Sequence, residues 1–556
     1  MTGFQPLDWL VLVAYGVVLL VTGWMFNRKA AGDTEGFFLG GRKMPVWAVT
    51  ISVIATALSA ATFVGGPQQA YAGNLTYLAS NIGGIIAALL VAVLLIPRMY
   101  RLGVATPYGL LEARYGRAGR QASAIAFLLG RVMASGARVY MVGIPAALII
   151  FGQPEETQAL IPVWQIAAAI LAITLVGIAY TLAGGVKSVI WTDVIQMGVF
   201  IAAILGAIFV LMNRIPGGID VVWDTLANAQ APDKTSKLTL FDFSTDLTRP
   251  YTIISCCVGF VLLGLASYGM DQDMVQRMLT CKNAAKGSAS VIAATIMTVP
   301  VVALFMIVGL LLYIFYQRPD VMGNAAPGSQ VFDSTRVFLS FILEEMPAGI
   351  SGLMMAGLFA AGLSSLNSGL NSMSSTVVND LYREWRSDRS DKHYLAMGRA
   401  WVVIWGVVLG TFACICIVWQ RSDGQTLIDF ALGVMTFAYA GLIGVFLTAM
   451  LTSRGSALSA IVSLLTGFLI IFAMNKPAIG LVLSFFEKPI EAGYPVINPS
   501  ILTIDWIEQS ADQSLPLALW SGVWDYAFAW KLTIAAGVST VICMLGSPDL
   551  RQDGAK

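Results

Sequence analysis

The chain is 556 residues long, 57% hydrophobic and only 12% charged, with a formal net charge of +1 and a mean hydropathy of +0.76. Soluble domains carry about 25% charged residues, so this composition excludes a water-soluble globule and makes lipid the chain's solvent. No basic block or matching motif points to nucleic acid. A membrane enzyme lacks its parts: the one histidine, His393, sits in a charged loop, and the cysteines show neither disulfide nor zinc spacing.

Hydrocarbon about 30 Å thick takes about 20 apolar residues in a helix. The first such stretch, Leu7–Phe26, has no basic residue before it and is long enough to span, so it reads as a retained helix and not a cleaved leader. Further apolar runs predict spans near 46–72, 78–97, 121–151, 163–183, 188–212, 250–272, 288–316, 348–379, 396–419, 426–451, 456–474 and 526–546, which with 8–27 makes thirteen. Cations alternate between the connections. Arg28, Lys29, Arg42 and Lys43 fill the first, and Arg98, Arg101, Arg114, Arg117 and Arg120 the third. Gly73–Tyr77 is uncharged, and the next such turn holds Glu155 and Glu156. The positive-inside rule then predicts an outer N-terminus and an inner C-terminus. Two long outer segments, 213–249 and 475–525, read as ordered caps or short interfacial helices.

The spans divide into an extra helix with the first loop (1–45), five helices (46–212), an outer linker (213–249), five helices starting from the opposite side (250–451), and two C-terminal helices with their loop (452–556). The third helix of each five follows an amphipathic segment, Thr106–Gly116 and Val331–Glu345. This is the outline of an all-α polytopic membrane protein with a 5+5 inverted repeat, an arrangement that puts ligand sites near the midplane.

Within 46–72 the run from Val53 to Pro67 is rich in small and hydroxyl residues and ends Gly65–Gly66–Pro67, so this helix can unwind in the bilayer. Freed carbonyls are tolerated there only when they face a cavity or coordinate something; a close-packing seam is the alternative. In span 348–379, Ala361, Ser364, Ser365, Ser368, Asn371, Ser372 and Ser375 recur at three and four residues and share one face. Ser364 falls close to the midplane, where hydroxyls are costly unless bonded or coordinating. Bonding back to their own backbone is the alternative. Asp193 lies about 9 Å into its helix, within reach of Ser368. A carboxylate with hydroxyl and carbonyl oxygens suits a hard cation; pairing with Lys187 is the alternative. Arg131 and Arg138 share a helix face, and Arg138 either clamps a substrate carboxylate or acts as a structural partner. Asp271, Asp273 and Arg277 read as an inner gate or loop pairing, and Asp429 as a carboxylate facing water at the outer start of its helix.

Several segments carry a resemblance: Phe37–Phe–Leu–Gly–Gly–Arg42, Thr106–Pro–Tyr–Gly–Leu–Leu–Glu–Ala–Arg–Tyr–Gly116, Tyr180–Thr–Leu–Ala–Gly–Gly185 followed by Trp191–Thr–Asp193, Asp271–Gln–Asp–Met–Val–Gln–Arg277, and Ser364–Ser–Leu–Asn–Ser–Gly–Leu–Asn–Ser372. In this order, over about residues 8 to 460, they resemble the sodium/solute symporter family, which includes sodium–glucose, sodium–proline and sodium–sialic acid symporters. The resemblance implies a leucine-transporter-like core of ten helices preceded by one. It also implies alternating access, in which sodium running down its gradient carries a small polar solute into the cell across the cell membrane. It places a Na⁺ site at Ala55, Leu58, Ala361, Ser364 and Ser365. A second Na⁺ site, found in some members, matches Asp193, Ser364, Asn367 and Ser368, with Asn367 replacing a hydroxyl residue.

For the solute the resemblance implies contacts at Ser59, Thr62 and Asn81. Galactose-type members have glutamine and glutamate where Thr62 and Asn81 stand, and their lysine falls near Thr298. Ser59 and Thr62 look more like sialic acid members, whose carboxylate-binding arginine falls near Ala134, with Arg131 and Arg138 about one turn to either side. Arg138 is the residue assigned to the solute here. The nearest rival is proton coupling through Asp193; a channel and a transporter-derived sensor are less favoured.

Overall fold

The computed structural model describes residues 4–27, 34–152, 161–183, 185–323, 334, 336–423, 426–475, 478–479 and 523–547. Arg28, Lys29, the Glu155–Glu156 turn, part of Val331–Glu345 and most of segment 475–525 lie outside the described residues. Among those described, secondary structure is helical apart from two isolated β-bridges.

The principal helices are α1 (Pro6–Asn27), α2 (Val46–Ala57), α3 (Ala60–Ala72), α4 (Thr76–Leu102), α5 (Gly109–Phe151), α6 (Val163–Ala183), α7 (Val186–Arg214), α8 (Ile253–Gly269), α9 (Gln272–Leu279), α10 (Ala284–Gln317), α11 (Ile350–Trp385), α12 (Asp391–Gln420), α13 (Leu427–Leu451), α14 (Ala457–Ala473) and α15 (Phe528–Met544). Seven of them are long and apolar enough to cross a bilayer. Nine spans result if the bent pairs α2–α3 and α8–α9 each count as one, and α1, α6, α14 and α15 contain shorter apolar stretches. The amphipathic segment expected before span 121–151 is joined to it as one helix, α5, with a break at Gly116, whose φ of 65° a side chain would strain. The span expected to end at 272 instead bends and runs on to Leu279.

The two bends, 61° and 55°, have different local causes. Between α2 and α3, Leu58 and Ser59 adopt extended backbone, and Ser59 caps α3 by accepting the Ala61 N–H at 3.3 Å. Neither residue is glycine or proline. Gly65 and Gly66, counted in the sequence among the small residues that let this helix unwind, lie inside α3 and serve close packing: a Cβ on Gly65 would come within 2.5 Å of Ile428, and one on Gly66 within 3.2 Å of Phe305. Between α8 and α9, Asp271 is extended and its carboxylate accepts the Asp273 N–H at 2.9 Å, capping α9.

Helix α11 is central, packing against α1, α5, α6, α7 and α12. Its start is capped from another helix. Asp8 of α1 is buried, and its Oδ1 accepts the Gly349 N–H at 2.7 Å, the Gly352 N–H at 2.8 Å and the Ser351 hydroxyl at 2.6 Å. Those N–H groups belong to a helix start that has no side-chain cap of its own. At the far end of α3, Lys237 from segment 213–249 donates to the Tyr71 carbonyl at 2.6 Å and the Ala70 carbonyl at 3.3 Å, so that segment is an ordered cap. Replacing Asp8 with alanine removes the cap of α11, and is expected to cost about 2 kcal/mol and lower the melting temperature in detergent. An unchanged melting temperature would mean that α1 does not hold α11.

Candidate functional site

The break in α2–α3 leaves backbone oxygens without helical partners. Among the described residues no backbone N–H bonds to the carbonyls of Ala55 or Leu58, because Leu58 N–H pairs with Ile54, and Thr62 and Phe63 pair with Ser59. Ala55 and Leu58 line a cavity of about 10 Å³ together with Ala361 and Ser364 of α11 and with Gln196 and Met197 of α7. That volume admits the centre of one water-sized sphere. Four of the five residues expected at the first sodium site thus meet at one ion-sized space. The fifth, Ser365, is buried next to Ser364, and its hydroxyl bonds to no described residue. Ser364 donates its proton to Asp193 Oδ1 at 2.6 Å, which leaves its oxygen lone pairs free for a cation. These donors are all neutral oxygens, the set a hard monovalent cation takes.

Behind the cavity lies a buried charge network. Asp193 Oδ2 accepts from the Ser52 hydroxyl and from Arg277 Nη2 at 3.2 Å. The expected alternative, Lys187, takes no part in it. Arg277 also donates to the Ser52 oxygen at 2.9 Å and to the carbonyl and carboxylate of Asp273, each at 2.7 Å. Arg131 bridges Asp273 and Asp271, the latter at 3.0 Å, and Tyr439 donates to Asp271 at 2.6 Å. Every charged member is at most 2% exposed. Asp271, Asp273 and Arg277 therefore do not form a separate loop pairing; the bend puts α9 inside the bundle, where charges must pair. The second sodium set is only partly assembled: Asp193 and Ser364 touch, but Ser368 donates to Asp273 at 3.1 Å and Asn367 accepts from Thr181 at 3.1 Å.

Of the residues expected at the solute, Ser59 and Thr62 are buried beside the break, with Ser59 capping α3. Asn81 donates to the Leu78 carbonyl of its own helix at 2.9 Å, and α4 packs chiefly on α8 and α10. Arg138 is 7% exposed. Its Nη2 lies 3.5 Å from the sulfur of Met435, a weak acceptor, and its Nη1 bonds to no described residue. Asp429 does not simply face water. It is half-buried and accepts from Tyr251, from Thr426 at 2.8 Å and from Gln69 at 3.3 Å, tying the end of α3 to the start of α13. Sequence reasoning missed Ser52, the Arg277–Asp193 bond and Gln196. Of these only Gln196, three residues beyond Asp193, carried a spacing signal.

Two broken spans, one of them opening on a small cavity beside a buried carboxylate, are features found in ion-coupled membrane transporters. A family model described as the sodium:solute symporter family matches residues 37–467, and the chain belongs to that family of sodium-coupled symporters. The sodium/sialic acid symporter SiaT of Proteus mirabilis (strain HI4320) is 28% identical over 504 residues, covering 90% of this chain and 95% of that protein. The sodium/sialic acid symporter NanT of Aliivibrio fischeri (strain ATCC 700601 / ES114) is 30% identical over 465 residues, 82% of this chain and 85% of that protein. A solved Na⁺-coupled sialic acid symporter, substrate-bound and outward-open, shares the fold with a TM-score of 0.75 at 24% identity, covering 98% of this chain and 97% of its own.

Removing one partner of a buried ion network strands the others. Arg277→Met leaves Asp193 and half of Asp273 uncompensated, and is expected to destabilise the protein by about 3–5 kcal/mol, with Arg277→Lys intermediate, as read by thermal unfolding. Equal melting of all three proteins would contradict the network.

Proposed function

We propose that this symporter binds sodium between the α2–α3 break and α11 and carries a small carboxylate-bearing solute with it by alternating access. The observation that carries the ion site is the 10 Å³ cavity where Ala55, Leu58, Ala361 and Ser364 converge; Ser365 completes the ligand set. Asp193, with Ser364, Asn367 and Ser368, is a second sodium station, which forms when Asn367 and Ser368 exchange their bonds to Thr181 and Asp273. The reading includes thirteen spans, with the four shorter apolar helices crossing as well. The N-terminus is outside, the C-terminus inside, and the repeats are 46–212 and 250–451.

Arg138 supports an anionic solute. In the buried cluster the three carboxylates of Asp193, Asp271 and Asp273 face the guanidiniums of Arg131 and Arg277. Arg138, two turns from Arg131 on α5 (about 10 Å), has no carboxylate at bonding distance among the described residues and balances the set. Sodium alone then adds an uncompensated positive charge and a carboxylate alone a negative one, whereas the two together restore balance. In a low dielectric that difference couples ion to solute. The sialic acid named for the two relatives is a carboxylate, and Ser59 and Thr62 stand beside the break to hold polar groups of such a solute, with Asn81 assigned to it as well.

Purified protein in liposomes is expected to accumulate a carboxylate solute, found by a thermal-shift screen in sodium, only when sodium outside exceeds sodium inside. Ser365→Ala and Asp193→Asn should cripple that uptake, and Arg138→Ala should abolish the solute-induced shift. Equal uptake with choline replacing sodium would overturn sodium coupling, and uptake driven by a proton gradient without sodium would establish the rival. Shifts with neutral polyols only would remove Arg138 from the solute site.

A further inference from the structure

Helix α1 leans on the bundle along one side. Asp8 ties its first turn to the start of α11, and Tyr15 and Leu19 cluster with Ala356 and Ala360 of the same helix. Towards α6 it stands off, and a cavity of about 320 Å³ opens between α1, α5, α6 and the flank of α11. Gly16 lines that gap, and a Cβ there would meet nothing within 4 Å. Glycine weakens a helix interior, and no close approach of a neighbour requires it at this position.

The gap lies at hydrocarbon depth. α1 and α11 start on the same side, where Asp8 meets Gly349 and Gly352. The α1 residues that line the gap run from Leu12 to Leu20, about 12 Å along the helix, against about 15 Å for half of the hydrocarbon layer. Leu20, Ile150 and Val176 line it and are each more than half exposed, so its mouth opens sideways, where lipid is the solvent. Its floor is α11, with Phe359, Leu363 and, farthest from the Asp8 end, Asn367. Among the described lining residues Tyr15 and Asn367 alone have polar side chains. A buried water takes two to four polar partners, which such a wall does not supply along its length. An apolar cavity of about 150 Å³ stays dry and takes up small apolar molecules; this one is about twice as large.

We propose that this gap is a lipid site: one acyl chain of a bilayer phospholipid enters between α1 and α6 and lies along α11, with its end against Asn367. A linear chain matches a space that runs along the helices, and the bilayer supplies such chains at the mouth. The polar headgroup stays at the interface, so the wall needs no charged anchor. The chain fills the space that Gly16 leaves and joins α1 to α6, which side chains alone do not do at this level. The site shares only Asn367 with the second sodium set and does not rest on the ion sites proposed above.

The test uses the whole protein in nanodiscs of dioleoylphosphatidylcholine with a small share of a phosphatidylcholine that carries a diazirine near the end of one acyl chain. Irradiation and peptide mass spectrometry then read where the chain end sits. Adducts are expected on the α11 peptide that holds Phe359, Leu363 and Asn367, besides those that any surrounding lipid leaves on exposed positions such as Val407 and Val418 of α12. Gly16→Phe puts a ring into the gap, and is expected to remove most α11 adducts while those on α12 stay. It is also expected to shrink the rise in melting temperature that added phospholipid gives the detergent-solubilised wild type. Should Gly16→Phe fail to fold, Ala172→Phe fills the gap from α6 and is expected to give the same loss. Wild-type adducts confined to exposed faces would mean that the gap holds water, a smaller apolar solute or nothing, and would overturn the site. Undiminished α11 labelling in a folded cavity-filling variant would overturn it as well.

Discussion

A backbone carbonyl inside hydrocarbon must find a partner, and at Ala55 and Leu58 no backbone N–H among the described residues provides one. Much of the architecture around α11 can be read from that constraint. The extended residues Leu58 and Ser59 turn the chain by 61°, which exposes the two oxygens, and α11 brings Ala361 and Ser364 against them. α11 in turn is held in place by a carboxylate from another helix: Asp8 accepts three hydrogen bonds at its start. In the proposed function, sodium is the partner that the two freed carbonyls lack.

The second break is tied to the first by charge. Ser52 on α2, Asp193 on α7, Arg277 and Asp273 on α9, Arg131 on α5 and Tyr439 on α13 form one continuous buried network. Ser364 and Ser368 of α11 donate into it. Buried pairs contribute little net stability against well-packed apolar side chains, yet losing one partner is expensive. Such a network favours arrangements in which all its members are paired over partly paired ones, a property suited to two discrete states of a transporter. Asp429, Gln69 and Tyr251 make a smaller tie of the same kind where α3 meets α13 and the start of α8.

Much of the fold was legible because lipid enforces it: about 20 apolar residues per span is a strong signal, and the long helices fall where hydropathy puts them. The hydroxyl stripe of α11 was legible too, since a repeat of three and four residues survives in any helix. Composition did not mark the break; the resemblance did, through the carbonyls of Ala55 and Leu58. Gly65 and Gly66 lie inside α3, where their small size serves packing against Ile428 and Phe305, while the chain unwinds at Leu58–Ser59, which carries neither glycine nor proline. The Arg277–Asp193 and Asp8–Gly352 contacts join residues 84 and 344 positions apart, and no local pattern announces them. The resemblance of Ser364–Ser372 to a known family supplied the ion-site positions that periodicity alone left open.

The central claim is that sodium bridges the α2–α3 break and α11. Hydrogen–deuterium exchange of the purified protein in sodium and in choline tests it most directly, because exchange at freed backbone reports local opening. The account predicts slower exchange in sodium for peptides covering residues 52–62 and 360–368, with little change in α14 and α15. Identical exchange in the two salts, or protection confined to helices away from the break, would contradict it.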